Sequence, residues 1–326
     1  MPEPRAPARP RAGRGQACAK EVTYMSSITT AARRSAVALV ALLLAVAAAI
    51  ASAPSSASAA SPAPAQDDPP LVDNDFPVTR EGAYGDNRFT VFRPSDPAAV
   101  GEPMPVLAFG NGACAHTDNS EVTQALTFLA SKGIVVVDTG SADGSDNGVP
   151  SGQPIPSLLT DAITWAEQEQ NRADSPLYQQ LDLSKVATAG HSCGGLEALI
   201  AAQDDRVSAT VALNSGLFAD GSYGYSRDEL QRLHAPVMFL DGGPSDIAYE
   251  NSQANYELVS VPAVLGTQPD AGHVGFITGY QMTEGMTVVV SFLDMVLNGN
   301  QTARDYILDP SGLASQAPWS VSSKNF

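Results

Sequence analysis

The chain has 326 residues and carries 18 Lys and Arg against 35 Asp and Glu, a formal net charge of −17. Beyond Ala59 the balance is 11 basic against 33 acidic residues, or −22, which argues against nucleic acid and anionic membrane surfaces as partners. Three cysteines are too few for a disulfide scaffold or a zinc cluster.

The first 59 residues read as export machinery. Arg33 and Arg34 form a basic start, residues 36–53 are almost unbroken small and apolar residues, and Ala57-Ser58-Ala59 fits an A-x-A cleavage site. The pattern predicts a secretory signal peptide cleaved near Ala59–Ala60, with Met25 opening a better-proportioned signal than Met1. A retained anchor would show a basic stop-transfer cluster after the run, and the chain has a small-residue pattern there instead. Residues 60–70 are a Pro/Ala linker. The remaining 71–326, about 255 residues, is enough for one large α/β domain with a single core. Its two cysteines, Cys114 and Cys193, are a candidate pair in an oxidising compartment; buried free thiols are the alternative.

In chain order, 89–92 (FTVF) predicts a strand, and 105–109 (PVLAF) another that runs into Gly110-Asn111-Gly112. Helical spacing of Val122, Ala125, Leu126 and Leu129 predicts a helix over 120–131. Residues 134–137 (IVVV) predict a buried strand, 141–156 a polar loop, and 158–170 an amphipathic helix. A strand over 186–189 leads to Gly190-His191-Ser192-Cys193-Gly194, followed by a helix over 196–203. Strands over 207–213, 236–240 and 261–265 follow, with helices over 247–258 and 282–297. Continuous apolar strands alternating with helices predict a mostly parallel sheet covered on both faces.

Gly190 to Gly194 is G-x-S-x-G between a predicted strand and a predicted helix, the context of a nucleophile elbow, with Ser192 as nucleophile. Such a serine needs a base and an orienting acid, in chain order Ser, Asp, His. His273, in the Gly-rich loop after the 261–265 strand, is the candidate base. His191 lies inside the elbow and is expected to point away from the serine's face, and His234 precedes a strand at the wrong edge of the sheet. Asp246 is the candidate acid, and Asp241 at the strand tip is the alternative; Asp270 is read as shaping its own loop. The backbone N–H of Cys193 is one expected oxyanion donor, and Asn111 or Gly112 supplies the second. A bridge between Cys114 and Cys193 would tether the two donor-bearing segments.

With FGNGAC, GHSCGG, GPSDIAY and DAGH in this order, the chain resembles the α/β-hydrolase serine esterases, over most of 75–300. It is most similar to the compact, secreted, lid-poor group of chlorophyllase-like, dienelactone-hydrolase-like and polyester-hydrolase or cutinase-like enzymes. The resemblance implies cleavage of a small-molecule, lipid or polyester ester without a metal or organic cofactor, and no stable membrane insertion after signal cleavage. An exported acyltransferase and a non-catalytic binding protein of the same fold are the alternatives. One departure is that no aromatic residue adjoins Ser192; only Tyr223, Tyr225 or Phe276 could supply the aromatic platform of polyester hydrolases.

Overall fold

The computed structural model describes residues 75–117, 120–145 and 148–326. The signal, its cleavage site, the linker and Cys18 lie outside the described residues. A nine-stranded sheet organises the described chain: β1 (Val78–Gly82), β2 (Thr90–Pro94), β3 (Met104–Gly110), β4 (Val135–Asp138), β5 (Leu181–His191), β6 (Val207–Leu213), β7 (Val237–Asp241), β8 (Ala263–Thr267) and β9 (Ser320–Lys324). Their spatial order is β1-β2-β4-β3-β5-β6-β7-β8-β9. The run from β4 to β8 is parallel, and β1, β2 and β9 pair antiparallel at the two ends.

Among the described residues seven α-helices accompany the sheet: α1 (Ser120–Ser131), α2 (Ser157–Asn171), α3 (Cys193–Ala201), α4 (Tyr249–Leu258), the single turn α5 (Gly275–Thr278), α6 (Met282–Leu293) and α7 (Gln301–Leu308). Side chains alternate across a strand, so each parallel strand feeds two cores. Leu107, Phe109, Val136, Val211 and Met238 pack under α1, α6 and α7 with Leu126, Met286 and Phe292. Their sequence neighbours Val106, Ala108, Val135, Val137 and Phe239 pack under α2, α3 and α4 with Ile163, Leu199 and Tyr256. Burial on both faces is why these strands read as unbroken apolar runs.

The strand and helix positions follow the sequence reading, with four differences. Strand β5 begins at Leu181, five residues before the expected start, because Asp182 to Lys185 are partly exposed and break the apolar run. Helix α3 begins at Cys193 rather than Leu196: Gly194 and Gly195, which look like a turn, are its first turn. Helix α6 stops at Leu293 and passes into a π-turn, Asp294–Asn298, closed by Gly299 at φ 67°. Finally, β1, the single turn α5, α7 and β9 stand where no element is expected. Strands β1 (VTREG) and β9 (SVSSK) are polar edge strands, which need no apolar face.

Chain direction across the sheet reverses at β3. From β3 the chain steps outward to β4, then returns to place β5 on the other side of β3. Ligands of open parallel sheets bind outside the carboxyl ends of strands at such a switch point. Here the backbones approach very closely. A Cβ on Gly194 would fall 2.0 Å from the Gly110 carbonyl oxygen, and one on Gly190 would fall 2.2 Å from the Gly194 oxygen. Gly194→Ala therefore forces β3 and α3 apart and is expected to cost about 3 kcal/mol in urea unfolding. Gly82→Ala, whose Cβ would meet only the Ala142 Cβ at 3.7 Å, serves as the contrast and should stabilise by about 0.5 kcal/mol.

Candidate active site

Ser192 stands between β5 and α3 at φ 54° and ψ −119°, a conformation that costs energy for any side chain. Its neighbours hold it there. Its N–H donates to the Leu213 carbonyl at 2.9 Å, and its carbonyl accepts from Gly195 N–H at 3.0 Å and from the Ser215 hydroxyl at 2.6 Å. Gly195 is required because a Cβ would fall 2.4 Å from the Ser215 Cβ.

His273, between β8 and α5, places Nε2 3.0 Å from Ser192 Oγ, and its Nδ1 lies 2.6 Å from Asp246 Oδ1. A carboxylate accepts, so Nδ1 carries the proton and Nε2 is left to accept from the serine hydroxyl. Asp246, in the loop after β7, is 4% exposed. Its Oδ1 also accepts from Ala248 N–H at 2.9 Å; its Oδ2 accepts from the Asn214 amide at 2.7 Å and from Gly242 N–H at 3.1 Å. Burial alone would raise the Asp246 carboxyl; the His273 hydrogen bond and charge, with these donors, hold it below its usual value. The carboxylate thus stays ionised while it orients the ring.

Asp241 is placed differently. At the tip of β7 it accepts from Gly243 N–H at 3.1 Å and from the Gln253 amide at 3.0 Å, so it shapes the turn that carries Asp246. At Asp270 the backbone N–H donates to Gln268 Oε1 at 2.7 Å, so the side chain that caps this turn is that of Gln268. His234 lies at the opposite edge, with Nε2 3.1 Å from the Val207 carbonyl.

His191 departs from expectation. Its ring does not point away from the site but lies 5.0 Å, centroid to centroid, from the His273 ring. Its Nε2–H donates to the His273 carbonyl at 2.7 Å, which leaves Nδ1 as the bare nitrogen, facing Gly112. Complete burial and the neighbouring His273 push its pKa down to about 3, so the ring is neutral and works as a fixed strut under the base. Asn214 and Ser215, just beyond β6, are the other supports that the sequence reading missed. Their only signal is a polar Asn-Ser-Gly run at the carboxyl end of a predicted strand.

Asn111 is extended and leads into a 3-10 turn, Gly112–Cys114, with Ala113 at φ 55° and Cys114 at φ 48°. Gly112 lies against the serine: a Cβ there would come 2.8 Å from His191 Nδ1 and 3.8 Å from Ser192 Cβ. The Asn111 side chain is fully buried, and its amide has no partner among the described residues. The Cys193 N–H opens α3, where the first N–H groups have no intrahelical acceptor. Cys114 and Cys193 form a disulfide, with Cα atoms 5.1 Å apart. Of the three aromatic candidates, Phe276 is fully buried and stacked on Trp319, so it cannot face a ligand. Tyr223 lies in the 3-10 turn Ser222–Gly224 after β6, where it packs on Phe218 at 5.6 Å, and Tyr225 is the extended residue that follows the turn.

Asp241 yields a pH-dependent prediction. Burial pushes its pKa up to about 6, above its unfolded value near 3.8. It therefore contributes stability below pH 3.8 that is lost as pH rises through 6. Asp241→Asn removes that loss. The melting temperature of the variant minus that of the wild type should rise between pH 4 and pH 7; a flat difference means Asp241 titrates normally.

No protein-family model matches this chain, and no curated protein matches it.

Proposed function

We propose that the protein is an exported serine hydrolase of the α/β-hydrolase fold that cleaves carboxylic esters through an acyl-enzyme on Ser192. The observation that carries this reading is the unbroken relay from Ser192 Oγ to His273 Nε2 at 3.0 Å and from His273 Nδ1 to Asp246 Oδ1 at 2.6 Å. The strand order supports it, as does a strained serine at the carboxyl edge of the sheet beside the switch point. The segment between β6 and β7 holds two 3-10 turns, Ser222–Gly224 and Arg227–Arg232, which fits a site without a large lid.

In this mechanism Ser192 Oγ attacks the acyl carbonyl carbon as its proton passes to His273 Nε2. The carbonyl becomes a tetrahedral oxyanion, held by the N–H of Cys193 and an N–H of the turn at Gly112. Collapse expels the alcohol, which takes the proton from His273, and water then repeats the sequence on the acyl-enzyme. Asp246 remains a carboxylate throughout and stabilises the imidazolium that forms twice per turnover.

A fluorophosphonate probe should label Ser192, and a panel of p-nitrophenyl esters of graded chain length should define the preferred acyl group. Ser192→Ala and His273→Ala should lower kcat by about 10⁴ to 10⁶. Asp246→Asn should cost about 10⁴, and Asp241→Asn less than about tenfold. A larger loss at Asp241 than at Asp246 overturns the acid assignment. A protein that neither labels nor turns over any ester is the binding protein of the same fold, and one that turns over only with an added alcohol is the acyltransferase. For export, N-terminal sequencing of protein from culture medium should read from Ala60. An intact 36–53 segment in the membrane fraction overturns it.

A further inference from the structure

The fold buries a second histidine–carboxyl pair beside the site, which the relay does not use. His116 and Glu197 have side chains 1% and 0% exposed, and His116 Nε2 lies 3.0 Å from Glu197 Oε1. His116 Nδ1 is 2.7 Å from the Pro150 carbonyl, which can only accept. Nδ1 therefore donates, and with a proton on Nε2 as well the pair is an imidazolium against a carboxylate. Burial alone would lower the His116 pKa, but the Glu197 hydrogen bond and charge raise it above its usual value.

A buried ion pair is a poor means of gaining stability, because desolvation offsets the attraction and apolar residues of equal volume do as well. What it supplies is direction. Glu197 is four residues beyond Cys193, so both project from one face of α3. Cys114 and His116 are two residues apart on a segment extended at Ala115, φ −82° and ψ 121°. The turn that begins at Gly112 is thus fastened to α3 twice, one helical turn apart: by the disulfide and by the ion pair. The segment 150–155 closes the arrangement. Glu197 Oε1 accepts from Ile155 N–H at 2.6 Å, the Ser151 hydroxyl accepts from His116 N–H at 3.2 Å, and the Cys114 carbonyl accepts from Gly152 N–H at 2.9 Å. Glu197 Oε2 faces β3, where a Cβ on Gly110 would come within 3.0 Å.

We infer that Glu197 and His116 are positioning residues for the oxyanion turn, a non-covalent tether that holds the N–H groups at Gly112 and Cys193 in register alongside the disulfide. This inference rests on the proposed hydrolase reading for its catalytic consequence but not for its structural one. Each tether substitutes for the other. Loss of either leaves the turn in place, and loss of both frees it.

The test crosses Glu197→Gln with the double substitution Cys114→Ala, Cys193→Ala, which keeps both backbone N–H groups. Each change alone should lower kcat by less than about tenfold with KM little altered. The combination should lower kcat by far more than the product of the two, because displacement of catalytic groups by about 1 Å costs on the order of 100-fold. Hydrogen exchange needs no activity. Peptides spanning 109–117 should remain protected in each parent and lose protection in the combination, while peptides from β6 and β7 keep theirs. His116→Gln replaces Glu197→Gln if that variant does not fold. Multiplicative losses in kcat, or unchanged exchange in 109–117 in the combination, overturn the inference. If the exchange pattern appears as expected but no ester is turned over by any form, the tether stands and the hydrolase reading fails.

Discussion

Three backbones meet at Gly110, Gly190 and Gly194 with no room for a Cβ, and the rest of the site depends on that contact. A Cβ on Gly194 would lie 2.1 Å from the Gly110 carbonyl carbon and 2.6 Å from the Asn111 nitrogen. Strand β3 is thereby pressed against the first turn of α3. Two segments that begin with unpaired N–H groups, the turn at Gly112 and the helix at Cys193, are brought side by side. The same crowding turns the chain abruptly at Ser192, whose φ of 54° is tolerated because hydrogen bonds from β6 and α3 hold both sides of its peptide units. Strain of this kind persists only where the surroundings over-determine it.

A second constraint comes from buried polar groups, which must find partners or cost energy. Asp246 is surrounded by donors from four places: His273, Asn214, Gly242 and Ala248. That arrangement keeps it charged in a site where Asp241, only five positions away and deeper in its strand, is pushed toward neutrality. The two carboxyls differ through their environments alone. The one surrounded by four donors holds the His273 ring, and the one that accepts from Gly243 N–H and the Gln253 amide shapes the turn.

Much of this was legible in the sequence wherever chemistry and pattern coincide. Apolar runs such as VLAF and IVVV are buried on both faces, so they announced central parallel strands; SVSSK and VTREG carry no such run, so the edges were silent. The placement of Ser192, Asp246 and His273 within one relay agrees with reading loops at the carboxyl ends of strands. His191 was misjudged because a residue's side of a strand does not tell where a ring bends at a turn with positive φ. Asn214 and Glu197 were invisible for a different reason. Their roles arise from pairs 32 and 81 residues apart, and nothing local marks an Asn after a strand or a Glu in an apolar helix as anything but a polar residue.

The site is assembled across a seam. On one side β3, β5 and α3 are locked by glycine contacts, the disulfide and the His116–Glu197 pair. On the other, the loops after β7 and β8 are locked by Gly242, whose Cβ would lie 1.8 Å from the Gly272 oxygen, and by Gly272 N–H donating to the Gly242 carbonyl at 3.0 Å. The Ser192–His273 hydrogen bond spans the two, and two struts flank it: His191 Nε2–H to the His273 carbonyl at 2.7 Å and Asn214 Nδ2–H to the Gly272 carbonyl at 3.0 Å. Both struts end on carbonyls of the base loop rather than on the imidazole. The loop's backbone is fixed, and the ring is held on one nitrogen by Asp246 and presented on the other to the serine. In the proposed mechanism the ring takes a proton from one oxygen and returns it to another, and a rigid mount serves that exchange. Burial, with His273 beside it, keeps His191 neutral, which suits the proposed mechanism, since a second imidazolium 5.0 Å away would repel one formed on His273.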